Sequence, residues 1–195
     1  IKAHDIRAGG LALARAAQYM LPGVILAVVD PGVGSERRAI AIEINDGEWV
    51  FVGPDNGLLA PAIAMVGEVT RAVELDIQRF HLPSLSTTFA GRDVFAPVAA
   101  HLCNGVDFSS LGSSILLSSL QPGLLPISSQ EGDMVVAEIL WEDHFGNLQL
   151  NISEEDISLF GEQMLKIGKE FSPDHEHQAV VSATVDEGSP CGATI

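Results

Sequence analysis

Ala27-Val28-Val29-Asp30-Pro31-Gly32-Val33-Gly34-Ser35-Glu36-Arg37-Arg38 is the stretch on which the reading of this chain turns. An apolar run ends at a carboxylate, bends at Pro31, Gly32 and Gly34, and then brings in two guanidinium groups. That is the pattern of the carboxyl end of a buried strand feeding a loop. In open α/β sheets ligands sit outside the carboxyl ends of the strands, so Asp30 and Arg37 are the first candidates for chemistry. The same spacing also suits a tight turn whose Asp–Arg pair only fixes the loop.

Working outward, Ile6, Leu11, Leu13, Ala14, Ala17 and Met20 give residues 5–20 a helical period that stops at Pro22-Gly23, and residues 24–29 follow as a buried strand. Downstream, residues 38–44 and 49–52 flank Asn45-Asp46-Gly47, residue types that tolerate the positive φ of a tight hairpin turn. A helix over 58–66, a strand over 69–75 and a helix over 94–102 continue the alternation. This predicts an α/β domain with a mainly parallel sheet. Residues 109–130 turn to Ser, Leu and Pro with few charges, as a connector does. Strand patterns over 134–141, 148–152, 164–167 and 179–185 then predict a smaller, mostly-β, barrel-like domain. The expected division is 1–130 and 131–195, with a boundary near Gly132.

The chain has 195 residues, 47% of them hydrophobic, enough for a full core. Its net charge of −16 is uneven: −4 over residues 1–130 and −12 over 131–195. Such a balance repels phosphate backbones and anionic lipid surfaces, so no nucleic-acid or membrane partner is expected. Cys103 and Cys191 stand far apart with no histidine pair at ligand spacing, so neither a disulfide framework nor a metal site is expected. No apolar run approaches the roughly 20 residues of a membrane span, and the expected location is cytoplasmic. The chain opens on Ile1 and almost directly on a helix, which points to a natural chain that starts earlier.

Chemistry is to be sought in four loops: the one carrying Asp30 and Arg37; Pro54-Asp55-Asn56-Gly57; Thr87-Thr88-Phe89-Ala90-Gly91-Arg92-Asp93; and Asp143-His144-Phe145-Gly146-Asn147. Each gathers short polar side chains and glycines that let a ligand approach the backbone. Singly, each is more often a turn than a site; together they suggest a ligand held between domains. Arg92 and Asp93 read as a structural pair at a helix start. His101, within a helical run of alanines, reads as a structural histidine, and His81 is not promoted either.

At these residues the sequence resembles the S-adenosyl-L-methionine (SAM) hydroxide adenosyltransferases, relatives of the SAM-dependent fluorinase and chlorinase. The resemblance rests on four collinear motifs: Val29-Asp30-Pro31-Gly32-Val33-Gly34 with Arg37-Arg38; Gly53-Pro54-Asp55-Asn56-Gly57-Leu58-Leu59; Thr88-Phe89-Ala90-Gly91-Arg92-Asp93-Val94-Phe95-Ala96-Pro97; and Asp143 to Asn147. It implies attack of water on C5′ of the SAM ribose, giving adenosine and L-methionine, with SAM as substrate and no further cofactor. It implies that Asp30 and Arg37 hold the water, that Asn56 and Phe89 line or support the adenosine site, and that Asp143, Phe145 and Asn147 contact the adenine or methionine end.

By the same resemblance the third water-holding group is a histidine at the position of Ala90, which has no donor, acceptor or titratable atom. That departure implies a weakened hydrolase or, alternatively, a protein that binds SAM or adenosine without turning it over. A halogenase is the third reading, disfavoured because the Asp30 carboxylate would repel a halide. The family pattern further implies a homotrimer with sites between subunits, and segments before Ile1 and after Ile195.

Overall fold

The structure, a computed structural model, describes residues 1–83, 88–123, 128–131, 134–142, 148–152, 165–168 and 178–183. The chain divides into two compact units, Ile1–Leu124 and Leu125–Ile195.

In the first unit, helix α1 (Ile6–Ala17) starts where the Asp5 carboxylate accepts the Ala8 amide at 2.9 Å, an N-cap that satisfies one of the free amides of the first turn. It ends earlier than its apolar period. Tyr19 and Met20 bond back to Ala16 and Ala17 in a tightened turn before Pro22-Gly23. Strands β1 (Val24–Leu26), β2 (Ala39–Ile44), β3 (Trp49–Pro54), β4 (Val69–Glu74) and β5 (Ser113–Ser114) form one sheet in the order β1-β3-β2-β4-β5. The expected hairpin is present, with Ile44 opposite Trp49 and Asn45, Asp46 and Gly47 all at positive φ (50°, 55° and 95°).

The expectation of a mainly parallel sheet is corrected. Of the strand pairs, β1–β3 is parallel, while β2–β3, β2–β4 and β4–β5 are antiparallel. Helix α2 (Ala60–Val66) does connect two strands of like direction, β3 and β4, as a crossover should. The hairpin strand β2 is inserted between them, however, and reverses each neighbour relation it enters. Strand β5 lies within the stretch read as a connector and pairs with Val73 and Glu74.

Alternation along the strands splits the core in two. Ile40, Ile42, Ile44, Trp49 and Phe51 pack with Ala14 and Ala17 of α1 and Ala62 and Ile63 of α2. Ala41, Val50, Val52 and Val73 pack with Phe95 and with Val98 and Ala99 of helix α3 (Ala96–Cys103). The sheet therefore has helices on both faces, as an α/β layer requires. Where a helix over 94–102 was expected, α3 is preceded by a wider π-helical turn, Gly91–Phe95.

In the second unit, strands β6 (Ser129–Glu131), β7 (Met134–Glu142), β9 (Leu165–Gly168) and β10 (Gln178–Ala183) pair in the order β6-β7-β10-β9, and β8 (Leu148–Leu150) pairs with β7. All these pairings are antiparallel. No helix of the described residues is long and apolar enough to cross a membrane.

Candidate active site

Strand β1 lies at the edge of the sheet, and the chain leaves its carboxyl end through Ala27, whose amide still bonds the Val52 carbonyl at 3.0 Å. Gly53 makes this approach possible: a Cβ there would stand 2.4 Å from the Ala27 carbonyl oxygen. The loop beyond is closed by turn bonds from the Val33 amide to Asp30 and from the Ser35 amide to Gly32, with Gly34 at φ +81°. Its fold brings Arg37 back onto Asp30. Arg37 Nε donates to Asp30 Oδ1 at 2.9 Å and Nη2 donates to Oδ2, a bidentate pair. The guanidinium carbon also lies 5.2 Å from the centroid of the fully buried Phe95 ring. Asp30 and Arg37, read from sequence as a pair at a strand end, are thus brought together and immobilised.

The second loop braces the first. Asn56 Nδ2 donates to the Val29 carbonyl at 2.9 Å, and its Oδ1 accepts the Leu58 amide at 3.2 Å. Both ends of that side chain tie the β3–α2 connection to the last turn of chain before Asp30, which suits a supporting residue. Asp55, buried, accepts Arg38 Nε at 2.9 Å and the Gln121 amide at 2.9 Å, while Arg38 Nη1 reaches Ser119 Oγ at 3.0 Å. Arg38 and Asp55 therefore fasten residues 119–121 to the ends of the interior strands β2 and β3.

In the third loop, Phe89 is half exposed, with the Arg92 guanidinium over its ring at 4.6 Å. Arg92 and the buried Asp93 make the expected adjacent pair, Nε to Oδ1 at 2.6 Å. The methyl of Ala90 packs against the α3-side core. Thr88 and Gly91 join Val28, Val29, Asp30 and Val33 in a cleft of about 400 Å³ whose remaining wall is Ile1–His4. That volume falls within the usual range for small-molecule sites, roughly 300–1,000 Å³. Thr87 and the fourth loop, with Asp143, Phe145 and Asn147, lie outside the described residues.

His101 meets the Phe80 ring edge-on at 5.1 Å, a packing role. The His81 pKa is lowered by burial, against the opposing effects of its hydrogen bond to the Leu75 backbone and of Asp76. The residues that sequence reasoning missed are those of the opening segment. His4 lies at φ 68°, in the left-handed region where histidine is enriched among non-glycine residues. A lone histidine before a helix cap gives no sequence signal that it will face Asp30's cleft.

A fixed carboxylate–guanidinium pair and glycine-rich loops around a small cleft at a strand end are the arrangement in which α/β domains commonly hold small molecules. Residues 1–112 match the model of the SAM hydroxide adenosyltransferase N-terminal domain, and the chain belongs to that family. It is 48% identical over 149 residues to the (R)-S-adenosyl-L-methionine hydrolase of Salinispora tropica, covering 76% of this chain and 56% of that protein. The protein of the same name from Thermus thermophilus is 42% identical over 151 residues (73% and 56%). A fluorinase from Actinoplanes is 23% identical over 181 residues (80% and 60%). The chain spans about half the length of the curated relatives it matches. Among solved structures, an uncharacterized conserved protein from Thermotoga maritima superposes with a TM-score of 0.74 at 29% identity, over 95% of this chain and 69% of that one.

Proposed function

We propose that the protein containing this chain hydrolyses SAM to adenosine and L-methionine, water attacking C5′ of the ribose. The observation that carries the reading is the immobilised Asp30–Arg37 pair at the wall of the cleft, in a chain whose relatives include named SAM hydrolases. A sulfonium is already an excellent leaving group. The protein has mainly to exclude bulk water, align one molecule with the C5′–S bond and stabilise the hydroxide character it gains. Asp30 accepts a hydrogen bond from that water, and Arg37 offsets its developing charge. Phe89 provides an exposed ring for the nucleoside and Asn56 braces the loop behind it. Asp143, Phe145 and Asn147 contact the adenine or methionine end.

The same reading includes domain limits of 1–130 and 131–195, supported by the division at Leu124, and a barrel-like second domain, supported by its antiparallel strands. It also includes a homotrimer with shared sites and a cytoplasmic location. One observation favours a second reading. Ala90 contributes only a methyl to the core where the family pattern has an imidazole, so binding of SAM or adenosine without turnover is the alternative.

The test is incubation with SAM in ¹⁸O-water. Adenosine carrying ¹⁸O on its 5′ oxygen, with equimolar methionine, is the expected result. Bound but unconverted SAM would move the assignment to the binding protein, and a halide-dependent 5′-halogenated adenosine would move it to the halogenase.

A further inference from the structure

The first two loops close into a circuit. Asp30 is held by Arg37. The next residue, Arg38, accepts the Asp55 amide on its carbonyl at 3.0 Å and sends its guanidinium back to the Asp55 carboxylate, Nε to Oδ2 at 2.9 Å. Asn56, adjacent to Asp55, donates to the Val29 carbonyl at 2.9 Å, and Val29 leads back into Asp30. Of these six residues, Val29 and Asp30 line the cleft. The link between Arg38 and Asp55 is charged and shielded from water, the Asp55 side chain being 4% exposed. Residues 119–122 lie against the same link: Arg38 donates to the hydroxyl and carbonyl oxygens of Ser119, the Gln121 amide donates to Asp55 Oδ1 at 2.9 Å, and a Cβ at Gly57 would stand 2.8 Å from the Pro122 carbonyl oxygen. The Asp30–Arg37 contact fixes two side chains to each other; it is the Arg38–Asp55 link that ties them to the end of β3.

We propose that Arg38 is a positioning residue for the hydrolysis: by bolting the Arg37 end of the circuit to the buried Asp55, it keeps Asp30 where the attacking water has to be met. The inference rests on the hydrolase reading above. Attack in line with the C5′–S bond tolerates little displacement, and a shift of about 1 Å at the reacting atoms costs on the order of 10²-fold in rate. Arg38 is not among the residues lining the cleft, so its loss acts on the rate constant and spares SAM binding. Lysine is a poor substitute. Its ammonium is a point charge, whereas the guanidinium fork meets Asp55 and Ser119 at once.

The experiment is a double-mutant cycle. Arg38→Lys, and Arg38→Gln/Asp55→Asn, which removes both charges so that neither is left buried alone, are each made in the parent and in Asp30→Asn. Single-turnover rate constants are read with protein in saturating excess over SAM, so that slow variants remain measurable, beside SAM affinity by calorimetry and a thermal melt of each preparation. In the parent background both changes are expected to lower the rate constant by about 10–10²-fold, with affinity kept within about threefold. In Asp30→Asn, where no carboxylate is left to hold, the same changes cost less than about threefold. Equal losses in the two backgrounds overturn the inference, because Arg38 then acts on something other than Asp30. A folded variant with the parent's rate constant overturns it too, as does a loss confined to affinity. Where the neutral pair melts below the assay temperature, Arg38→Lys decides. If the parent turns over and its Arg38 variants match it, this inference alone falls; if the parent forms no adenosine, the hydrolase reading falls and takes this one with it.

Discussion

Replacing Asp30 by Asn changes one atom's identity and removes one charge, and the structure separates what this does to folding from what it does to rate. The Asp30 side chain is 6% exposed and that of its partner Arg37 14%. The carboxylate takes two guanidinium donors, Nε and Nη2. Asn keeps one acceptor for them and turns an NH₂ toward the other, so one charge-assisted bond is lost. Such a bond contributes about 1.5–3 kcal/mol, and the guanidinium keeps its contact with the Phe95 ring. A stability loss of about 2 kcal/mol from a typical reserve of at least ~5 kcal/mol leaves more than roughly 99% of the protein folded. Unfolding therefore accounts for almost none of a rate change. If Asp30 holds the nucleophilic water, kcat falls by about 10²–10⁴, or about 2.7–5.4 kcal/mol in the barrier. The assay is chromatographic quantitation of adenosine under saturating SAM, beside a thermal melt of the same preparation. A variant that melts a few degrees lower but keeps kcat within about threefold of the parent would refute the catalytic assignment and leave Asp30 as a loop fastener.

Three further outcomes follow from the packing. Gly53→Ala drives a Cβ to 2.4 Å from the Ala27 carbonyl oxygen, a backbone atom that can yield only if β1 parts from β3; the expected cost is about 2–3 kcal/mol, read as a lower denaturation midpoint. Asp55→Ala strips acceptors from Arg38 and the Gln121 amide at a buried site and should cost about 2–4 kcal/mol, with Tm lowered by several degrees, whereas an unchanged Tm would show the bracing of residues 119–121 to be dispensable. Burial lowers the His81 pKa, so its neutral form belongs to the fold: stability is fully present above the unfolded-state pKa of about 6.5 and is lost as pH falls through the lower folded value. Melting curves from pH 7.5 to 4.5 should show less acid destabilisation in His81→Asn than in the parent, and parallel curves would contradict this.

The elements that sequence revealed most clearly are those whose signal is local. Asn45-Asp46-Gly47 marks its hairpin because all three residues must take positive φ, and Asp30 with Arg37 marks a strand end because the intervening glycines allow the chain to fold back seven residues. The direction of the sheet was not legible. Alternating helices and strands suggest parallel pairing, yet β2 enters between β3 and β4, and nothing in its own composition announces that non-local insertion. Strand β5 has two serines and no apolar alternation, so its pairing with β4 depends on where the chain arrives. The opening segment was illegible for a like reason: only the fold brings Ile1–His4 to the cleft beside Asp30.

The proposed hydrolysis, which needs little from its catalyst, gives a reason for so much rigid structure at one strand end. Because SAM, the proposed substrate, carries its own leaving group, no acid would be required at sulfur, and most of the available acceleration would lie in the position and charge environment of one water. A carboxylate free to rotate would solvate that water in many orientations. Asp30 is denied that freedom on three sides: Arg37 fixes both its oxygens, Asn56 anchors the preceding Val29 carbonyl, and Phe95 backs the guanidinium. On that reading the same carboxylate, held in place, opposes a halide there, and the rigidity that would favour attack by water would also select against the competing nucleophile.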